Sequence, residues 1–98
     1  MSMVSLDECY KKSPSVVGRR VAGEAVLVPI RKRVSDLNSI FALNETAARA
    51  WELLDGQITL RAVLETIVAE YEVEESAAAQ DLLELMGKLI ELNAVEKA

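Results

Sequence analysis

The sequence predicts an α+β domain in which three short β-strands precede three α-helices. Two observations support this prediction. Short segments rich in β-branched residues lie between Val16 and Leu43, and from Asn44 onward apolar residues recur with the helical period. A chain of 98 residues has room for one hydrophobic core. Because three short strands are not stable alone, we expect one face of their sheet to pack on the helices.

The amino-terminal part of the chain predicts a lead-in followed by a hairpin. Residues 1–13 mix charged and small polar residues without a sustained period, so we expect a flexible lead-in there and the folded domain over residues 14–98. Valines on both sides of Gly18–Arg20, followed by the apolar run at 25–30, predict two strands. A turn at about Ala22–Glu24 would join them.

A third strand is predicted over Ser39–Leu43. Its alternation places Phe41 and Leu43 on one face and Ile40 and Ala42 on the other. If this strand lies at the edge of the sheet, its free N–H and C=O groups form a template to which a peptide can add as a further strand. Such addition needs no special residue type.

Three helices follow the strands. Asn44 is a strong N-cap for the first helix, and Asp55-Gly56 predicts its end. Thr59 is the predicted N-cap of the second helix, which carries one continuous apolar stripe. Ser76 is the predicted N-cap of a third helix that runs to about Leu92. The wide apolar coverage of this last helix indicates that it contacts more than one surface.

The composition excludes most active-site chemistry within this chain. It has no histidine and one cysteine, so it cannot supply a histidine general base, a Ser-His-Asp triad, a Cys-His couple or an ordinary Cys/His zinc site. Its four glycines are isolated, which excludes a glycine-rich phosphate loop. We therefore expect no enzyme, and we expect neither a metal nor another cofactor.

The charge and hydropathy patterns restrict the partners and the compartment. The net charge is −5, which disfavours nucleic acid as the main partner. Residues 1–44 carry an excess of bases, whereas residues 45–98 are strongly acidic, so the domain has surfaces of opposite sign. The longest apolar runs are about five or six residues, and a membrane span needs about 18 or more. With no secretory signal in residues 1–15, we expect a cytoplasmic protein.

One segment resembles a known family signature. The segment Leu43–Gly56 reads LNETAARAWELLDG and resembles the PqqD family signature, which is roughly L-N-x-T-A-x-x-I-W-x-L-x-D-G. The two helices after it fit the family as well, and the resemblance covers about residues 14–96. The chain departs from the family at Ala50, where isoleucine or valine is usual, and at Asn93, where glycine is common.

The resemblance implies a winged-helix-like domain with a three-stranded antiparallel sheet followed by three helices. It also implies a non-catalytic adaptor, or chaperone, that binds a ribosomally made precursor (leader) peptide by strand addition. Such an adaptor presents the peptide to a modifying enzyme such as a radical S-adenosylmethionine (radical SAM) maturase, as in pyrroloquinoline quinone (PQQ) biosynthesis. In the family, the leader adds to the third strand and packs against the third helix. Carried over by position, the peptide-binding residues are Ser39, Ile40, Phe41, Ala42, Leu43, Asp81, Leu82, Leu85, Met86 and Leu89.

Two other functions stay open on the sequence. A structural or oligomerisation subunit without a peptide client would use the wide apolar face of the last helix to form a homodimer. A winged-helix nucleic-acid binder would need a basic recognition helix. Residues 76–92 instead carry Asp81, Glu84 and Glu91 against Lys88 alone.

Overall fold

The computed structural model describes residues 4–22, 24–30 and 41–98. Three helices and two three-stranded antiparallel sheets make up this part of the chain, which confirms the α+β class. In chain order the elements are β1 (Cys9–Lys12), β2 (Val16–Val21), β3 (Glu24–Pro29), β4 (Phe41–Leu43), α1 (Glu45–Leu53), β5 (Asp55–Thr59), α2 (Leu60–Tyr71), α3 (Glu75–Glu91) and β6 (Val95–Lys97).

The predicted three-stranded sheet is present and has the order β2-β3-β4. Strands β2 and β3 form the expected hairpin, and Ala22 adopts a positive φ of 53° in its turn. Strand β4 pairs antiparallel with β3, from Ala25↔Leu43 to Leu27↔Phe41. Of the predicted third strand, Ser39 and Ile40 lie outside the described residues. Among the described residues, β4 forms one edge of this sheet.

A second sheet, with the order β5-β1-β6, was not predicted. The prediction of a loose lead-in over residues 1–13 is wrong for residues 9–12, because these form β1 and Tyr10 is only 4% exposed. The partners of β1 come from residues 55–59 and 95–97. Four residues are too short to show a strand period, and such distant partners leave no local signal in the sequence.

The caps of the first two helices are confirmed. The Asn44 Oδ1 atom accepts a hydrogen bond of 2.8 Å from the Ala47 amide at the start of α1. The Thr59 hydroxyl accepts one of 3.2 Å from the Ala62 amide at the start of α2. Each bond satisfies an amide that the first helical turn leaves without a partner.

The predicted cap of the third helix is wrong. Helix α3 begins at Glu75, so Ser76 lies inside its first turn and the N-cap position is Glu74. The Ser76 hydroxyl donates to the Glu74 carboxylate at 3.0 Å. Among the described residues, no side chain bonds the amides at this helix end. Packing therefore decides where α3 starts.

The core lies between the β2-β3-β4 sheet and the three helices. Its most buried side chains come from β3, from the loop after α1, and from α2 and α3; they are Leu27, Leu54, Leu60, Val63, Met86 and Leu89. Trp51 of α1 packs tightly against the sheet, since a Cβ atom added at Gly18 would lie 2.9 Å from its Nε1 atom. Helix α3 packs on α1, α2 and β6, whereas α1 packs on β3 and β4.

Candidate functional site

An open groove of about 460 Å³ lies beside β4. Residues of β4, α1, α2 and α3, together with Val73, line it. Most of its lining is apolar, and five of the lining residues are buried: Ala50, Leu64, Ile67, Ala78 and Leu82. We call it the β4–α3 groove. It places an apolar surface directly next to the edge strand of the sheet.

Half of the sequence-predicted site residues line this groove. They are Phe41, Ala42, Asp81, Leu82 and Leu85. Leu43, Met86 and Leu89 do not line it; their side chains are buried elsewhere in the core, with exposed fractions of 6%, 0% and 0%. Ser39 and Ile40 lie outside the described residues. The sequence analysis assigned the whole apolar set of α3 to the site, whereas the helix divides that set between the core and the groove.

Several lining residues were not predicted. They include small residues of α1 and α3 and two charged residues of α3: Thr46, Ala47, Ala50, Ala77, Ala78, Glu84 and Lys88. Helical spacing was the one feature of the sequence that could have indicated the lining residues of α3. Ala77, Asp81, Glu84 and Lys88 follow the i, i+4, i+7 and i+11 positions that share one face of a helix.

The outer edge of β4 offers backbone groups to a partner. In an antiparallel pair, successive residues direct their N–H and C=O groups alternately toward the neighbouring strand and away from it. Strand β4 has three residues and pairs with β3 on one side. The Ile30 amide donates to the Ser15 carbonyl at 2.8 Å, so the alternation along β3 directs residues 26 and 28 toward β2 and residues 25 and 27 toward β4. Phe41 and Leu43, which pair with residues 27 and 25, therefore direct these groups toward β3, and Ala42 points its N–H and C=O away from it. Ala42 itself is exposed.

Three charged side chains of α3 lie along the rim of the groove. Asp81, Glu84 and Lys88 are all exposed. Within the described ranges, none of the three forms an ion pair. Their charges are therefore available to a ligand that lies in the groove.

Some of the charges elsewhere on the helices form ion pairs with one another. Arg49 of α1 donates two hydrogen bonds to the Glu70 carboxylate of α2, at 2.8 and 2.9 Å. These bonds lower the pKa of Glu70. A second cleft, on the side of Tyr71, is lined by Arg20, Arg49 and Glu52, which also pair at 3.3 and 3.4 Å. This polar cleft offers an extended peptide less apolar surface than the β4–α3 groove does.

The described residues contain neither a metal-ligand cluster nor a membrane span. No group of three His, Cys, Asp or Glu side chains in residues 4–22, 24–30 and 41–98 could hold a metal ion. None of the helices described is both long and apolar enough to cross a membrane.

Comparison with known proteins supports the fold and identifies the family. No curated protein sequence matches the chain significantly. A solved structure described as TbiB1 in complex with the TbiA(beta) leader peptide is similar, with 26% sequence identity and a TM-score of 0.70. That similarity covers 88% of this chain and 94% of the other. A family profile matches residues 24–95, and the family is described as coenzyme PQQ synthesis protein D (PqqD). This range includes β3, β4, the three helices and every described residue that lines the groove. This chain therefore belongs to the PqqD family.

Proposed function

We propose that this protein is a non-catalytic adaptor that binds the leader segment of a ribosomally made precursor peptide and presents it to a modifying enzyme. The observation that carries the proposal is the open edge of β4 beside an apolar groove. Membership of the PqqD family supports a peptide as the ligand. The bound leader peptide of the similar TbiB1 structure supports it as well.

The peptide adds to β4 as a fourth strand of the sheet. Main-chain hydrogen bonds to β4 supply affinity for any extended sequence, and alternate side chains enter the groove and supply specificity. Because β4 has only three residues, the edge offers few hydrogen bonds, each of which contributes about 1 kcal/mol net. Most of the affinity therefore comes from apolar side chains that the groove removes from water.

The chemistry belongs to a partner enzyme. This chain has no histidine, and its single cysteine, Cys9, lies on β1, which contributes no residue to the groove. A radical SAM maturase is the kind of enzyme that the family suggests. The complex forms in the cytoplasm, where a ribosomal precursor is made. Nucleic acid is disfavoured as the partner by the acidic surface of α3.

An amide chemical-shift titration tests the proposal. The isotope-labelled full chain is titrated with the leader segments of precursor peptides encoded near its gene. We expect the shifts to concentrate on residues 41–43 and on the groove face of α3 between residues 77 and 88. If no peptide shifts these amides and the protein has a dimer mass in solution, the structural-subunit alternative replaces the adaptor.

A proline substitution tests strand addition separately. Ala42→Pro removes a backbone donor from the open edge of β4, so we expect peptide binding to weaken at least about fivefold while circular dichroism still shows the helix content of wild type. Arg20→Pro is the matched control, because Arg20 lies on β2 at the opposite edge of the same sheet and its amide also points away from β3. An unchanged Kd for Ala42→Pro in a folded protein would count against β4 as the docking edge.

A further inference from the structure

The groove has room for a large apolar side chain. Five alanines line it: Ala42 from β4, Ala47 and Ala50 from α1, and Ala77 and Ala78 from α3. Alanine side chains fill little of the space between helices, and the neighbouring Phe41 and Leu85 are apolar and only partly buried. A large aliphatic or aromatic side chain of a bound peptide would cover both of these side chains and replace water beside the alanines.

The groove is long enough to hold several peptide residues side by side with α3. Its α3 lining runs from Ala77 to Lys88. Eleven residues at 1.5 Å each extend over about 16 Å. An extended peptide covers this length with about five residues, of which alternate ones face the groove.

The charges along this length are not uniform. Asp81 lies one helical turn before Leu85, whereas Lys88 lies almost one turn after it. At 1.5 Å per residue, Asp81 lies about 6 Å and Lys88 about 4.5 Å from Leu85 along the helix axis, and the first of these is close to the ~6.7 Å between residues i and i+2 of a strand. When one side chain of an extended peptide packs on Leu85, the side chains two positions before and after it also face the groove. One of these two side chains lies near Asp81, and the other points toward Lys88.

We infer that the groove selects peptides in which a large apolar residue is accompanied, two positions away on one side, by a lysine or arginine that faces Asp81. The inference rests on the proposed function and adds the chemistry of the client to it. Glu84, which lies between Asp81 and Leu85 in the sequence and also lines the groove, adds to the negative charge on the Asp81 flank. Lys88 disfavours a second basic residue on the opposite flank, so the charges also determine in which direction the peptide lies. The long aliphatic stem of lysine or arginine suits a rim position, since it packs on apolar surface while its charge stays in water.

A selection from random peptides tests this inference. Random 12-residue peptides are selected by mRNA display on the immobilised full chain, on Asp81→Lys and on Glu65→Lys. Glu65 is the matched control, because it is an exposed acid of α2 that does not line the groove. Enriched peptides are aligned on their largest apolar residue, and the charges two positions away on each side are counted.

We expect wild type and Glu65→Lys to enrich lysine or arginine at one of these positions, and Asp81→Lys to enrich aspartate or glutamate there. In an enriched peptide, exchange of this basic residue for glutamate weakens binding to wild type about fivefold, the upper range for an exposed ion pair. The Asp81→Lys variant should recover this loss. The inference is overturned if both variants enrich the same charge as wild type, or if the enriched peptides carry no charge bias at this spacing. If no peptide is enriched on any of the three proteins, the proposed function itself falls and takes the inference with it.

Discussion

Two adjacent residues of α3 offer a direct test of how this helix divides its apolar residues. Leu85 is half-buried and lines the groove, whereas Met86 has an exposed fraction of 0% and does not line it. We expect Met86→Ala to reduce the stability of the fold strongly. We expect Leu85→Ala to reduce stability less and to weaken peptide binding.

The magnitudes follow from burial. Truncation of a buried methionine to alanine costs about 2–5 kcal/mol, out of a total stability of about 5–15 kcal/mol for a domain. In a chain of this size each kcal/mol shifts Tm by about 4–8 °C, so Met86→Ala should lower Tm by at least about 8 °C. Leu85 is already partly in water, so Leu85→Ala should cost about 1 kcal/mol of stability. Burial of the rest of this side chain by a peptide contributes about another 1 kcal/mol, or about fivefold in Kd.

The assay compares thermal unfolding of the three proteins with their affinity for one peptide that shifts the groove amides. Fluorescence anisotropy of the labelled peptide gives Kd, and the measurement is made well below the Tm of each variant. The reasoning is refuted if Leu85→Ala lowers Tm as much as Met86→Ala and leaves Kd unchanged. Leu85 would then belong to the core, and the face of α3 that meets the peptide would have been assigned wrongly.

Three further predictions concern stability. Thr59→Ala removes the hydrogen bond at the start of α2 and should lower the free energy of unfolding by about 1 kcal/mol. Ser76→Ala should leave it almost unchanged in the same thermal unfolding assay, because Ser76 caps no helix. Equal losses would show that Ser76 acts as a cap after all. Gly18→Ala places a methyl group 2.9 Å from the buried indole of Trp51 and should destabilise the domain by about 1–3 kcal/mol. An unchanged midpoint of urea unfolding would mean that the indole moves aside easily. Because Arg49 lowers the pKa of Glu70, this pair contributes stability at neutral pH that is lost as pH falls through the folded-state pKa. Glu70→Gln should therefore lower Tm slightly at pH 7 and by progressively less as the pH falls, and a decrease that is the same at every pH would assign the effect to packing.

Local signals identified the elements whose cause is local. The hairpin follows from two short valine-rich segments and a turn, and its register from Val16↔Pro29 to Val21↔Glu24 agrees with that interpretation. The caps at Asn44 and Thr59 were predictable because a cap depends on one side chain and an amide three residues away. The resemblance to the PqqD signature rested on a local string as well, and the match over residues 24–95 confirms it.

The candidate site was predictable only in part. Leu82, Leu85, Met86 and Leu89 share the apolar side of α3 in the sequence, and nothing local distinguishes those that face the core from those that face the groove. The distinction depends on where α1, α2 and β4 lie. Ala77 shares a helical face with Asp81, Glu84 and Lys88 in the sequence, but spacing alone does not show that this face borders a groove, because the space beside a small exposed residue is set by its neighbours in the fold.

The sequence by itself determined the α+β class, the hairpin, the caps of α1 and α2, the family, and the absence of histidine-based catalysis. Each of these depends on composition or on residues close together in the chain. Only the tertiary structure decided that residues 9–12 form the central strand of a second sheet, that α3 starts one residue before Ser76, and that β4 borders an apolar groove. These features depend on contacts between residues distant in the chain, such as those of β1 with residues 55–59 and 95–97. Such contacts become favourable only when the whole core assembles.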